Sequence, residues 1–256
     1  MATNPRVRNV VRGSMLSEAA TEAVAEAGTL SSGWNSGYHG RHGLWMRESA
    51  VQQKEHWEQV YTTKPTTAVS WFQQHAEQSL RLIEATRVPL SASIIDVGGG
   101  ASTLVDDLLT KGYTALTVLD ISAAALQAAQ VRLGVRASAV RWLLEDITAA
   151  TLPQNAYDVW HDRAVFHFLT AAEQRQAYVR NVLRAVKPGG HVIVSTFAED
   201  GPPQCSGLPV MRYSPGELHA QFGAAFQLVK HETEAHRTPS GAVQQFVYCY
   251  CRVSSP

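Results

Sequence analysis

The chain is short of cysteine, of charge and of long apolar runs. Its 256 residues include three cysteines and no CxxC pair, which excludes a disulfide framework and a zinc ribbon. Charged residues make up 17% of the chain, against roughly 25% in average proteins, and 22 Lys and Arg balance 22 Asp and Glu. No apolar run approaches the ~18 residues of a membrane span, and no apolar signal-peptide core opens the chain. We therefore expect a cytoplasmic protein without a nucleic-acid or membrane partner.

A glycine turn, "SIIDVGGGAST" at residues 93–103, lacks the features of both common phosphate sites. A P-loop places a lysine directly after its last glycine, but the next lysine here is Lys111. A dinucleotide fingerprint needs a third glycine, and that position holds Thr103. Asp96, two residues before the first glycine, would repel a pyrophosphate. The turn therefore favours a ligand that carries a positive charge.

Strands and helices alternate from residue 55 onward, which predicts an α/β fold with a doubly wound, mostly parallel sheet. Helices are expected over 70–86, from 104, over 123–132 (N-capped by Ser122) and over 171–186. The last two strands, 226–237 and 243–253, are separated by a short turn and are expected to form an antiparallel hairpin. Cys249 and Cys251 alternate on the last strand, which predicts apolar packing rather than a metal site.

The domain prediction divides the chain near residue 50. Residues 1–50 contain a Gly/Ser-rich stretch and are interpreted as an N-terminal extension, a flexible linker or a lid. Residues 51–256 are expected to form the folded domain, with a helical cover at its N-terminal end.

Four motifs occur in a fixed order: "IIDVGGG", "LTVLDIS", "LLEDIT" and "LRAVKPGGHVIVSTF". Together they resemble the class I S-adenosylmethionine-dependent methyltransferases over roughly residues 55–252. Asp120 lies 24 residues after Asp96, close to the ~20 expected between a nucleoside-binding turn and its ribose acid. The resemblance implies a seven-stranded sheet ending in the antiparallel hairpin that the tail predicts independently.

The resemblance also implies a set of residues that bind S-adenosylmethionine. The glycine turn would accept the amino-acid part of the cofactor, Asp120 both ribose hydroxyls, and Asp146 the adenine amino group. Aromatic residues near position 60 would form walls for the cofactor or the acceptor. The implied cofactor residues are Asp96, Gly98, Gly99, Gly100, Asp120, Ile121, Asp146, Ile147, Tyr61 and Trp71.

Two segments are candidates for the methyl-acceptor side. "HDRAVFHFLT" follows the fourth strand and supplies the candidate catalytic residues His161, Asp162, Arg163 and His167. Each also has a structural interpretation, as a helix cap, an ion pair or a core histidine. The Pro-rich loop 198–215 is a potential lid and supplies the candidate substrate residues Cys205, Arg212 and Tyr213.

The identity of the acceptor stays open between two narrower resemblances that "HWEQVYTTKP...VSWF" carries. One is to bacterial enzymes that methylate small thiols or sulfide, the other to lysine methyltransferases of metabolic proteins. The balanced charge and the potential lid favour a small-molecule substrate, a small thiol first. A non-catalytic domain that binds the cofactor is the alternative from a different class.

Overall fold

The computed structural model describes residues 52–255, and the predicted extension at 1–50 lies outside them. A first helix, α1, covers residues 52–63. The later helices are α2 (Glu77–Ala85), α3 (Leu104–Thr110), α4 (Ala123–Leu133), α5 (Ala172–Ala185) and α6 (Pro215–Ala220). The strands are β1 (Ser93–Val97), β2 (Ala115–Asp120), β3 (Val140–Leu144), β4 (Tyr157–Arg163), β5 (Val186–Phe197), β6 (Gln204–Cys205), β7 (Leu208–Pro209), β8 (Phe226–Arg237) and β9 (Val243–Val253).

Seven strands form one sheet in the order β3-β2-β1-β4-β5-β9-β8. The pairs from β3 to β5 are parallel, and β9 pairs antiparallel with both β5 and β8. This confirms the predicted fold class and the C-terminal hairpin. Because β1 and β4 lie at the centre, the carboxyl ends of the parallel strands meet where such sheets bind their ligands.

Each face of the sheet carries its own apolar core. One core contains Ile95, Trp160 and Tyr178 and lies under α5 and α6. The other contains Ile94 and Val159 and lies under α2 and α3. Side chains alternate between the two cores along each strand, as the pleat requires. This alternation decides which residues of β4 can reach the ligand site.

Local signals explain most of the helix ends. The Ser122 Oγ accepts the Ala125 N–H and begins α4 as predicted. Lys111 and Gly112 end α3, and Gly112 has a φ of +92°. Cys249 and Cys251 are buried on one face of β9, with their sulfur atoms 3.3 Å apart, as the alternation predicted.

The helix predicted over 70–86 is shorter in the structure and begins at Glu77. The residues before it form a loop that is held by distant side chains. The Ser70 carbonyl lies 2.7 Å from His236 Nε2, and Gln73 Nε2 donates to Glu234 Oε1 at 2.6 Å. These contacts hold the segment against β8 and keep it out of the helix, so Trp71 lies on a loop with a fixed position.

Two short strands interrupt the Pro-rich loop that was predicted over 198–215. β6 and β7 pair through Gln204 with Pro209 and Cys205 with Leu208. Ser206 and Gly207 form the turn with φ values of +52° and +81°, which is the backbone that a tight two-residue hairpin requires. The loop is therefore a folded hairpin that holds Cys205 in a fixed place.

Candidate active site

The glycine turn brings backbone into close contact with two acids. Gly98 has a φ of +68°, and a Cβ there would lie 1.9 Å from a methyl group of Val165. A Cβ on Gly100 would lie 2.5 Å from Asp120 Oδ2. Only glycine fits this geometry without displacing a neighbour. The glycines therefore allow the chain to pass directly beside the acids at the ends of β1 and β2.

Two adjoining chambers open at the carboxyl ends of β1 to β4. The empty space in and over the first measures about 760 Å³ and that in and over the second about 560 Å³, with the open solvent at their mouths included. Asp120 and Asp146 line the first chamber, and Asp96 lines the second. The lining residues that the chambers share are Tyr61, Trp71, Gly98 and Arg163.

Asp120 is the best-held acid of the first chamber. Its Oδ2 accepts the Gly100 N–H at 3.0 Å and its Oδ1 accepts the Ser122 N–H at 2.8 Å. Burial raises the pKa of this carboxyl to about 6, although both hydrogen bonds favour the ionised form. Each oxygen has a second lone pair for a ligand hydroxyl. Asp120 can therefore accept two hydroxyls while it fixes the turn.

Three more of the predicted cofactor residues line the first chamber. Ile121 and Ile147 line it together with Asp146. Asp146 Oδ1 accepts the backbone N–H and the hydroxyl of Thr148, both at 2.8 Å. These bonds hold the carboxylate at the end of β3, next to Glu145, which the sequence analysis did not single out.

Asp162 is a correction to the candidate catalytic residues. The sequence analysis placed it after the fourth strand, whereas β4 continues to Arg163 and its side chains alternate. Asp162 therefore faces the core under α5. It accepts the N–H groups of Val165 and Phe166 and the Tyr178 hydroxyl, and burial raises its pKa to about 7. It caps a turn and does not line either chamber.

His167 is a second correction. It is fully buried, packs against Phe168 and Phe197, and lines neither chamber. Its Nδ1 accepts the Phe197 N–H at 3.4 Å, and burial, assisted by Arg163, lowers its pKa to about 3. A neutral histidine in the core packs against its neighbours, so the geometry does not support the catalytic role predicted for His167.

His161 and Arg163 face the opposite side of β4 and belong to the site. Arg163 lines both chambers, lies 4.3 Å above the Phe246 ring, and donates to Tyr248 Oη at 3.1 Å. Its guanidinium also contacts Glu234 at 3.4 Å. Arg163 is thus a cation whose charge is balanced by fixed partners. His161 lines the second chamber only.

The 198–215 segment contributes one of its three predicted residues. Cys205 lines the first chamber, and burial raises its thiol pKa to about 12 although the charge of Arg163 opposes this. Arg212 is exposed and donates to the Gly201 carbonyl, and Tyr213 is buried in the core beside Phe166. Neither Arg212 nor Tyr213 lines a chamber, so the geometry does not support the substrate roles predicted for them.

Four aromatic rings cover the first chamber. Tyr61 and Trp71 lie where the resemblance implied, and Trp71 Nε1 donates to Tyr61 Oη at 3.2 Å. Trp57 and Phe168 complete the group with ring centroids 5.1 Å apart. The sequence analysis singled out neither of the last two; the alignment of Trp57 and Tyr61, four residues apart on α1, was the available signal.

Two further features of the site escaped the sequence analysis. Ala164 lines the first chamber with a φ of +70°, a strained backbone that concentrates at functional sites. Glu58 accepts the N–H groups of Ala123 and Ala124 at 2.6 and 3.0 Å. Through Glu58, α1 is fixed to the first turn of α4, which keeps the aromatic rings over the chamber.

The chambers fit S-adenosylmethionine on their own geometry. Asp120 offers paired acceptors for two hydroxyls in the first chamber. In the second, Asp96 Oδ2 is buried and has no hydrogen-bond partner among residues 52–255, which is costly unless a donor binds there. An ammonium group is such a donor. The glycine turn between the two acids leaves room for backbone-to-ligand contact.

Comparisons with known proteins agree with this geometry. Residues 94–190 match a methyltransferase domain family. Human EEF1A lysine methyltransferase 2 is 24% identical over 196 residues, 71% of this chain and 77% of the human protein. A methyltransferase of Mycobacterium tuberculosis is 32% identical over 111 residues, which cover 43% of this chain and about half (53%) of that protein.

Solved structures share the fold. The Burkholderia thailandensis 1,6-didemethyltoxoflavin-N1-methyltransferase, solved with S-adenosylhomocysteine, superposes with a TM-score of 0.60 at 16% identity, over 88% of this chain and 94% of that one. A methyltransferase-fold protein from Methanosarcina mazei gives a TM-score of 0.58 at 15% identity, over 68% and 98%.

The family match, the sheet order and the paired acids point to one conclusion. The chain belongs to the class I S-adenosylmethionine-dependent methyltransferases, and its cofactor is S-adenosylmethionine.

Proposed function

We propose that this enzyme methylates an amine, and that the amine is the side chain of a protein lysine. The observation that carries the proposal is the burial of Cys205, a thiol that lines the first chamber and whose pKa is raised by that burial. Burial favours the neutral form of both a thiol and an amine. The neutral thiol is the less reactive form and the neutral amine is the nucleophilic one, so burial favours an amine as the acceptor.

The acceptor end is defined by the residues that the two chambers share. The nucleoside acids line the first chamber and Asp96 lines the second, so the reacting centre belongs at their junction. Tyr61, Trp71 and Arg163 border that junction. These three side chains are the ones we assign to the acceptor and the methyl group.

Burial in this cleft disfavours charged forms. A thiol must lose its proton to become a strong nucleophile, and burial raises the Cys205 pKa to about 12. A substrate thiol in the same place would stay protonated. An amine becomes nucleophilic when it is neutral, and desolvation lowers an ammonium pKa. The cleft therefore favours the reactive form of an amine.

Arg163 does not offset this preference. It is the one Lys or Arg among the described residues that line the two chambers. Its guanidinium is already engaged by Glu234, Tyr248 and the Trp71 carbonyl. A thiolate would find no free cation there to stabilise it.

The aromatic cover suits a long, unbranched amine. Trp57, Tyr61, Trp71 and Phe168 provide an apolar wall on which a four-carbon stem can pack while its nitrogen enters the cleft. Bound S-adenosylmethionine supplies the activated methyl group. The side chains of the cleft orient the amine, exclude water and leave the nitrogen lone pair free, which is the main requirement for in-line transfer.

The comparisons support a protein substrate over the small thiol that the sequence analysis favoured. Three relatives, from human, mouse and zebrafish, are named EEF1A lysine methyltransferase 2, and their matches cover 58% to 71% of this chain. Their substrate is a property of those proteins, and its transfer to this chain is part of the proposal.

An assay of methyl transfer tests the proposal. The full-length enzyme is incubated with tritium-labelled cofactor and a protein extract of its own cells, or with sulfide, small thiols or small amines. We expect a labelled protein band that yields methyllysine on hydrolysis, and no label with Asp120→Ala. Turnover on a thiol overturns the amine assignment, and turnover confined to small amines overturns the protein substrate. Cofactor binding without turnover on any acceptor overturns catalysis.

A further inference from the structure

His161 has both ring nitrogens occupied. Nδ1 lies 2.7 Å from Asp96 Oδ1, and Nε2 lies 2.8 Å from Ser79 Oγ. The histidine is 2% exposed and Ser79 is fully buried. A general base needs a free nitrogen within reach of its substrate. This arrangement makes His161 an internal link between α2 and the end of β1.

The sheet itself creates the link. Asp96 and His161 are register partners on the adjacent central strands β1 and β4. Their side chains point to the same face, so the carboxylate and the imidazole meet directly across the strands. Because a carboxylate can only accept, the proton in the bond belongs to His161 Nδ1.

Asp96 has one oxygen in a hydrogen bond and one without a partner among the described residues. His161 holds Oδ1, while Oδ2 is buried without a hydrogen-bond partner among the described residues. A Cβ on Gly99 would lie 2.3 Å from this Oδ2, so the glycine turn passes directly beside it. The free oxygen therefore lies against the glycine turn, and Asp96 and Gly99 both line the second chamber.

We propose that His161 is a positioning residue: it locks the Asp96 carboxylate in the orientation that presents Oδ2 to the ammonium group of the cofactor. A lone aspartate side chain can rotate about two bonds, and rotation would turn both oxygens away from a ligand. The bond to His161 removes this freedom before the cofactor arrives, and Ser79 in turn fixes the imidazole. The inference rests on the cofactor, not on the acceptor.

Two substitutions at one position test the role. In His161→Asn the amide nitrogen occupies the place of Nδ1 and can still donate to Asp96. His161→Leu keeps the volume and removes the donor. Titration calorimetry measures the binding of S-adenosylhomocysteine, which carries the ammonium, and of methylthioadenosine, which lacks the amino-acid part. Both ligands are measured with the full-length protein and without any acceptor.

We expect His161→Leu to weaken S-adenosylhomocysteine binding at least tenfold and to leave methylthioadenosine within twofold of wild type. His161→Asn should stay within threefold for both ligands, and Asp96→Asn should show the pattern of His161→Leu. Unchanged S-adenosylhomocysteine binding by His161→Leu overturns the proposal. So does an equal loss for the two ligands, which would indicate a purely structural role.

A variant outside β4 keeps the proposal testable if His161→Leu does not fold. Ser79→Ala removes the hydroxyl at Nε2 and leaves His161 and Asp96 in place. We expect a threefold to fivefold loss for S-adenosylhomocysteine and none for methylthioadenosine. If His161→Leu does not fold and Ser79→Ala binds both ligands as wild type does, the proposal fails. Neither outcome depends on the acceptor, so the proposed lysine specificity is judged separately.

Discussion

The floor and the cover of the cleft are assembled from very different stretches of chain. The floor consists of Asp96–Gly100, Asp120–Ile121 and Asp146–Ile147, each at the carboxyl end of a parallel strand. The cover consists of Trp57, Tyr61, Trp71, Arg163 and Phe168, held by partners as distant as Glu234 and Tyr248. In the floor, short motifs place the ligand-binding atoms. In the cover, contacts between residues 65 to 166 positions apart place them.

The comparison is tested most strongly at Asp120, in the floor. Asp120→Ala removes the acceptors for both ribose hydroxyls and should cost about 2 kcal/mol or more, roughly a 30-fold weaker cofactor affinity. Titration calorimetry with S-adenosylhomocysteine measures it. A dissociation constant within threefold of wild type would mean that the floor does not bind the nucleoside through this acid.

Lowering the pH should weaken cofactor binding in the same way as the Asp120 substitution does. Burial raises the Asp120 pKa to about 6, and only the ionised carboxylate accepts two hydroxyls. As the pH falls from 7.5 to 5, protonation should weaken cofactor binding roughly tenfold. The control is Asp120→Asn, whose weaker affinity should vary less with pH. An equal pH dependence in the variant would assign the effect to another group.

His167 tests the region directly beneath the cover. Its pKa is about 3 in the folded protein, below the ~6.5 of an exposed histidine, so only the unfolded chain gains its proton as the pH falls below ~6.5. His167 therefore lowers stability by about 1.4 kcal/mol at pH 5.5 relative to pH 8. In His167→Asn, urea denaturation should show a smaller loss of unfolding free energy between pH 8 and pH 5.5 than in wild type. If the variant and wild type differ by the same free energy at both pH values, the histidine is not held neutral by burial and becomes a candidate base again.

The smallest effect is expected at Arg212, outside both floor and cover. Arg212→Ala should change turnover, measured as release of S-adenosylhomocysteine, by less than twofold, because its side chain contacts only the Gly201 carbonyl. A fivefold loss would show that the Pro-rich segment reaches the acceptor after all.

The sequence predicts the floor well for a physical reason. A strand-end acid and a glycine turn act through their own backbone, so Asp96, Gly98, Asp120 and Asp146 stand in short motifs whose resemblance to known methyltransferases points them out. The strands and the Ser122 cap follow from equally local rules.

The cover could not be predicted in the same way. Which of Asp162 and Arg163 faces the cleft depends on the register of β4 in the sheet. A shift of the strand by one residue would move each of its side chains to the opposite face. The loop at Trp71 depends on Glu234 and His236, which no local pattern connects to it. Position within the tertiary structure, rather than residue type, decided these cases.

The place of β9 between β5 and β8 has a consequence for the order in which this enzyme matures. The ribosome completes the three acids of the floor before residue 150, with more than 100 residues still to be translated. Glu234 and Tyr248, which hold the Trp71 loop and Arg163, are made well after these acids. A nascent chain can therefore carry all the floor residues before it can hold the cover in place, and methyl transfer must wait until β8 and β9 have left the exit tunnel and entered the sheet.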